Sequence, residues 1–116
     1  MTILTNITSD KKDLIKANNS VTGFKEKLGE DILMTGVLIY EKEEIDTKTG
    51  EIEKKVVCAI KDSNGDFITS VSPTVKNSLD MIVESYTEEE IKAGLPITIK
   101  SKRSNAGRDF FYVDLI

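Results

Sequence analysis

Residues 31–45 form a long run of β-branched and apolar side chains, with Gly36 inside it. Such side chains fit a pleated, half-buried surface, so the run predicts a strand. It is long for a single flat strand, and glycine within a strand often marks a bulge or a sharp bend. A strand bent at Gly36 can pair with both halves of a strongly curved sheet, which favours a small β-barrel.

Two hairpin signals follow this run. The turn at residues 46–50 ends the first strand, and residues 52–61 predict a second strand. The dipeptide Asn64-Gly65 is then the strongest short-range signal for a hairpin. Residues 67–72 come directly after it and predict a third strand.

The period of the apolar residues changes after this third strand. Ser72 is suited to a helix N-cap and Pro73 to the first turn. One helical face then collects Val75, Leu79, Ile82, Val83 and Tyr86. The pair Thr87 and Glu90 has the spacing of a capping box, which predicts a further short helical turn.

The order of elements indicates the fold class. Two more strands, residues 97–103 and 110–116, complete a mainly β chain. We expect a five-stranded OB-fold barrel with one helix between strands three and four; an open five-stranded sheet with the helix on one face is the alternative. Residues 1–20 show no firm period and predict a loosely ordered arm, with a short helical turn near residues 13–16. Residues 21–116 then form the single domain.

Composition excludes several classes of function. The chain carries 20 acidic and 16 basic residues, no histidine, and Cys58 as its only cysteine. Zinc sites and histidine-based acid–base chemistry need residues that are missing here, so we expect no metal, no cofactor and no enzymatic activity. A lone cysteine suits a reducing cytoplasm. The chain shows neither a signal peptide nor an apolar run of the ~20 residues that a membrane helix needs.

A basic turn followed by aromatic residues stands out against the net charge of −4. The turn at residues 104–107 is flanked by Lys100, Lys102, Arg103 and Arg108, and then by Phe110, Phe111 and Tyr112. Side chains alternate along a strand, which assigns Phe111 to the core and turns Phe110 and Tyr112 outward.

The same alternation, applied to the other strands, predicts one binding face. Its members are Tyr40, Lys42, Lys55, Lys100, Lys102, Phe110 and Tyr112, with Arg103 and Arg108 at its rim. Aromatic rings stack on bases and cations neutralise phosphates, both without regard to sequence. This set therefore indicates binding of single-stranded nucleic acid.

Two segments carry a resemblance to a known family. They are residues 64–75, Asn-Gly-Asp-Phe-Ile-Thr-Ser-Val-Ser-Pro-Thr-Val, and residues 106–115, Ala-Gly-Arg-Asp-Phe-Phe-Tyr-Val-Asp-Leu. With Tyr40 before a charged run, residues 24–116 resemble the single-stranded DNA-binding proteins of small tailed phages that copy linear DNA by protein priming, the phi-twenty-nine group.

The resemblance implies a protein that coats and protects displaced strands during phage DNA replication in the bacterial cytoplasm. It favours Tyr40 and Tyr112 as the stacking groups, and it makes phage replication proteins possible partners beside single-stranded DNA. A homo-oligomer is compatible with the sequence but is not indicated by it. Two other readings stay open: a protein–protein adaptor or host-factor inhibitor built on the same barrel, and a carboxylate-based nuclease.

Overall fold

The fold is built on one antiparallel β-sheet. The computed structural model describes residues 2–8 and 10–116. The six strands are β1 (Thr2–Ile7), β2 (Asp31–Ile45), β3 (Ile52–Asp62), β4 (Phe67–Ser70), β5 (Leu95–Arg103) and β6 (Asp109–Leu115). The described helices are α1 (Asp13–Asn19), α2 (Pro73–Ser85) and α3 (Glu88–Ala93), with a 3-10 turn at Phe24–Lys27. The expected mainly β class is confirmed.

Strand β2 organises the sheet. One of its edges pairs with β3, while its other edge pairs with β5 at residues 31–34 and with β1 at residues 37–41. The resulting order is β4-β3-β2-β5-β6, with β1 beside β2. Among the described residues β4 and β6 do not pair with each other, so the sheet is open between them.

Gly36 lies where β2 changes partners, as the sequence predicted. The pairing of β2 with β3 shifts register between Met34 and Gly36. A Cβ atom at Gly36 would lie 2.8 Å from the carbonyl oxygen of Ile7 and 3.2 Å from the Cβ of Lys61. The missing side chain therefore lets β1 and β3 approach β2 from both edges at one point.

The expectation for the N-terminal residues was wrong in one respect. Residues 2–7 form β1, so the sheet has six strands rather than the expected five. Of this strand only Ile7 is buried, while Ile3 and Leu4 are 46% and 47% exposed. Because the strand is held mainly by backbone pairing with β2, its side chains lack the alternation that would have revealed it.

The main core fills the inner face of the sheet. Helix α2 buries Val75, Leu79 and Ile82, the face that the sequence predicted, and α3 adds Ile91. The strands contribute Val37, Ile39, Cys58, Ile60, Ile97, Ile99 and Val113. Thr74 Oγ1 donates a hydrogen bond of 2.7 Å to the carbonyl oxygen of Phe111, which ties the start of α2 to β6.

A second apolar cluster lies on the outer face of the sheet. It contains Leu38, Tyr40, Val57, Ala59 and Phe67 from the strands, packed against Ala17 and Leu14 of α1. Lys61 Nζ donates to both carboxylate oxygens of the fully buried Asp13, at 3.0 and 3.3 Å. Helix α1 therefore covers part of the face that the sequence assigned to a ligand.

Candidate nucleic-acid interface

The predicted binding residues occupy two separate places on the outer face. Cross-strand register sets Lys42 opposite Lys55 on β2 and β3. On β5 and β6 it sets Lys100 opposite Tyr112, and Lys102 opposite Phe110. Opposite residues of an antiparallel pair point to the same face, so the structure brings the predicted residues together as two groups rather than one.

The group on β5 and β6 is largely exposed. Lys102 Nζ lies 5.1 Å from the centre of the Tyr112 ring, a cation–π contact. Lys100 Nζ lies 2.8 Å from Asp114 Oδ2, and Arg103 Nε lies 3.6 Å from Asp109 Oδ1 at the hairpin end. The hydrogen bond from Lys100 holds the pKa of Asp114 below its ordinary value, so the carboxylate stays charged beside the lysine.

The group on β2 and β3 is partly neutralised by an acid. Glu44 lies 2.7 Å from Lys55 Nζ and 3.2 Å from Lys42 Nζ. The hydrogen bond from Lys55, followed by that from Lys42, lowers the pKa of Glu44. These exposed ion pairs are weak, so a phosphate can compete with Glu44 for both lysines. The two lysines nevertheless carry less uncompensated positive charge than the sequence suggested.

Tyr40 is not exposed. It lies on the outer face, as alternation predicted, but only 1% of its surface is accessible because it packs in the cluster beneath α1. Burial raises the pKa of its hydroxyl. Tyr40 was predicted as a stacking group on the binding face; it lies on that face but is covered, and nothing in the local sequence of β2 shows that a distant helix packs there.

A groove of about 430 Å³ runs beside α1 and reaches the open side of the sheet. Its aromatic lining comes from Phe111, which is half-buried, and from Tyr40 and Phe24, which are only 1% and 2% accessible. Its basic side chains are Lys25 and Lys42. The other lining residues are Ala17, Asn18, Ser20, Gly23, Val57, Thr69, Ser70 and Val71, so this lining contains no carboxylate. We call it the Lys25–Lys42 groove.

Two other clefts are less suited to a polyanion. A cleft of about 630 Å³ on the other side of α1 has Asp62 and Asp66 beside Lys16 and Lys27. A cleft of about 570 Å³ between α2 and β6 has Asp114 and no lysine or arginine in its lining, although the ring of Tyr112 also borders it. Carboxylates repel phosphates, so the smaller Lys25–Lys42 groove is the better candidate although it is not the largest opening.

Comparison with known proteins decides the family. A family model described as phage single-stranded DNA-binding protein matches residues 3–116. The chain belongs to this family. No curated protein and no solved structure matches the chain significantly.

Membership in the phage single-stranded DNA-binding protein family confirms the recognition made from the two sequence segments. It identifies the chain as a phage DNA-binding protein whose partner is single-stranded DNA. The match also includes α1 and all of β1 except Thr2, which lie outside residues 24–116, where the sequence resemblance was placed. None of the helices in the described part of the chain has the length and apolar character needed to span a lipid bilayer.

Sequence reasoning missed several residues of the groove in this phage single-stranded DNA-binding protein. Phe111 was assigned to the core; it packs against the core only in part and also lines the groove. Lys25 lies in the 3-10 turn, where no periodic pattern draws attention to it. For α1, which forms one side of the groove, the only local sequence signal was the short helical turn predicted near residues 13–16.

Proposed function

We propose that this protein coats single-stranded DNA without sequence preference during phage DNA replication and protects displaced strands in the infected cell. The observation that carries the proposal is the Lys25–Lys42 groove, which combines two lysines with the half-buried ring of Phe111 and has no carboxylate in its lining. Cations neutralise phosphates and rings stack on bases of any identity. Both contacts therefore bind a strand irrespective of its sequence.

The order of the elements supports an OB-fold interpretation. Strands β2 to β6, with α2 between β4 and β5, follow the order of a five-stranded, partly open OB barrel, to which β1 is added at the edge of β2. In that fold, oligonucleotides bind on the second and third strands and on two flanking hairpin loops. The corresponding parts here are β3, β4 and the hairpins at residues 46–51 and 104–108.

The β5–β6 hairpin extends the proposed path beyond the groove. Lys102 and Arg108 have no carboxylate within 4.0 Å among the described residues, and Lys100 and Arg103 are held only by exposed pairs. Phe110 and Tyr112 are half-buried and keep part of each ring accessible. We assign base contacts to these two rings and phosphate contacts to the four cations. Lys42 and Lys55 would contact phosphates at the other end of the proposed DNA path.

The salt dependence of oligo-dT binding tests this proposal. Each phosphate contact on a single strand contributes about −0.7 to the slope of log K against log salt concentration. The double variant Lys25→Ala/Lys42→Ala should bind more weakly and lower the magnitude of the slope by about 1.4. Anisotropy of a fluorescein-labelled oligo-dT measures both quantities.

The matched control is Lys11→Ala/Lys92→Ala. It removes one lysine that has no carboxylate within 4.0 Å in the described part of the chain and one lysine near an acid, as the groove variant does, since Lys92 lies 4.0 Å from Glu88. Neither lysine lines the groove. An equal change of slope in both double variants would show that net charge alone governs binding, and it would remove the groove from the proposed site.

A further inference from the structure

The outer face beneath α1 has the composition of a binding surface. Alternate residues of β3 on this face read Lys55, Val57, Ala59 and Lys61, so apolar residues lie between two cations. Tyr40 of β2 and Phe67 of β4 flank them with aromatic rings. Lys61 lies opposite Phe67 in the pairing of β3 with β4, which places the cation and the ring side by side.

Helix α1 covers this face with few contacts. It has seven residues, of which Asp13 and Ala17 are fully buried, and no side chain of the described residues caps its N-terminus. Its described attachments are the Asp13–Lys61 ion pair, the packing of Leu14 and Ala17, and a hydrogen bond of 2.6 Å from Ser20 Oγ to the carbonyl oxygen of Phe67. A helix this short gains little stability of its own, so its place depends on these contacts.

Two clefts flank α1. The Lys25–Lys42 groove includes Ala17 and Asn18 on one side of the helix, and the larger cleft includes Ile15, Lys16 and Asn19 on the other. Tyr40 lines the first and Phe67 the second, while Ser20 lines both. If α1 moved away, the two clefts would join as one trough across β2, β3 and β4.

We propose that α1 is a displaceable cover over a further part of the single-strand-binding surface. When α1 leaves, Tyr40 and Phe67 receive bases and Lys61 receives a phosphate. In the free protein the carboxylate of Asp13 occupies the position of that phosphate, because it is a buried anion bound by both oxygens to the same lysine. This inference rests on the proposed function. It adds Tyr40, Phe67 and Lys61 to the binding surface, with α1 as their displaceable cover.

Tyrosine emission gives a direct test. The chain has no tryptophan and three tyrosines, so in the variant Tyr86→Phe/Tyr112→Phe the emission comes from Tyr40 alone. Oligo-dT should quench this emission in parallel with the anisotropy of a labelled oligo-dT. If anisotropy shows normal binding but Tyr40 emission is unchanged, α1 is not displaced and the proposed function still stands. If anisotropy shows no binding, both the displacement of α1 and the proposed function are refuted.

Loosening the cover should tighten binding. The apparent affinity is proportional to the fraction of molecules in which α1 is displaced, so a larger displaced fraction raises it. Asp13→Asn should increase the affinity for oligo-dT about tenfold, and Ser20→Ala should act in the same direction without any change of charge. Asp80→Asn is the matched control, since Asp80 pairs with Lys76 at 2.7 Å on α2, away from the cover. Wild-type affinity in both Asp13→Asn and Ser20→Ala, or an equal gain in Asp80→Asn, would refute the proposal.

The lysine on β3 provides a separate readout. Lys61→Met should also release α1, so Tyr40 emission should still respond to oligo-dT. Because one phosphate contact is lost, the magnitude of the salt slope should fall by about 0.7. If Asp13→Asn does not fold, as judged by its thermal melting, Ser20→Ala and Lys61→Met still decide the matter.

Discussion

The ammonium group of Lys102 lies 5.1 Å from the centre of the Tyr112 ring on the outer face of β5 and β6. In the proposed DNA path, the lysine would bind a phosphate next to a base that stacks on the tyrosine. This pair is a cation–π contact on the exposed part of the sheet, and it lies beside the hairpin that carries Arg103 and Arg108.

Replacement of Tyr112 should show how much stacking on its ring contributes to the binding of oligo-dT. Tyr112→Ala should weaken oligo-dT binding by about 1–3 kcal/mol at high salt, where stacking persists and phosphate contacts are screened. Tyr112→Phe keeps the ring and should bind like the wild type. Fluorescence anisotropy at 1 M salt measures both, and equal binding by the alanine variant would show that the ring makes no contact with DNA.

The two arginines of the β5–β6 hairpin should contribute mainly through charge. The double variant Arg103→Ala/Arg108→Ala should weaken binding at low salt and reduce the magnitude of the salt slope by about 1.4. Since the Arg103–Asp109 pair is exposed, breaking it should leave thermal stability nearly unchanged. An unchanged slope in a titration series would place the hairpin outside the path of the strand.

The close approach of β1 and β3 at Gly36 makes a stability prediction. Gly36→Ala should lower the free energy of unfolding by about 1–3 kcal/mol, because the added methyl group would lie 2.8 Å from the carbonyl oxygen of Ile7. Urea denaturation measures the loss, and faster amide exchange in β1 should accompany it. Gly23→Ala is the control, since the nearest atom to its Cβ would be 4.0 Å away; equal losses in the two variants would contradict this account.

The buried thiol of Cys58 should make stability depend on alkaline pH. Burial raises its pKa from the ordinary 9.0 to about 11. As the pH rises, the thiol therefore ionises first in the unfolded chain. Its contribution to the free energy of unfolding is complete below pH 9 and is lost as the pH rises towards 11. Between pH 8 and pH 10 the wild type should lose about 1.4 kcal/mol more than Cys58→Ala.

Urea denaturation at several pH values checks the Cys58 prediction. The alanine variant leaves a small cavity and starts from a lower stability, so the slope with pH is the quantity to compare. Parallel slopes for the two proteins would mean that the thiol does not titrate differently in the folded and unfolded states.

Local patterns were sufficient for most of the strands and for α2. The strand predicted at residues 52–61, the hairpin at Asn64-Gly65 and the helix after Pro73 all depend on neighbours within a few residues. The capping box of Thr87 and Glu90 is likewise local, and both of its hydrogen bonds are present. The same kind of pattern failed for β1, whose pairing with β2 is made by the backbone and leaves little trace in its side chains.

By itself, the sequence determined which residues share a face of each strand, because side-chain direction follows from alternation along the chain. It could not determine which parts of that face stay open. Lys61 and Asp13 are 48 residues apart, and their ion pair helps to hold α1 over Tyr40. Only the tertiary structure decided that Tyr40 is buried while Tyr112 remains partly exposed, since burial depends on which distant element packs against each strand.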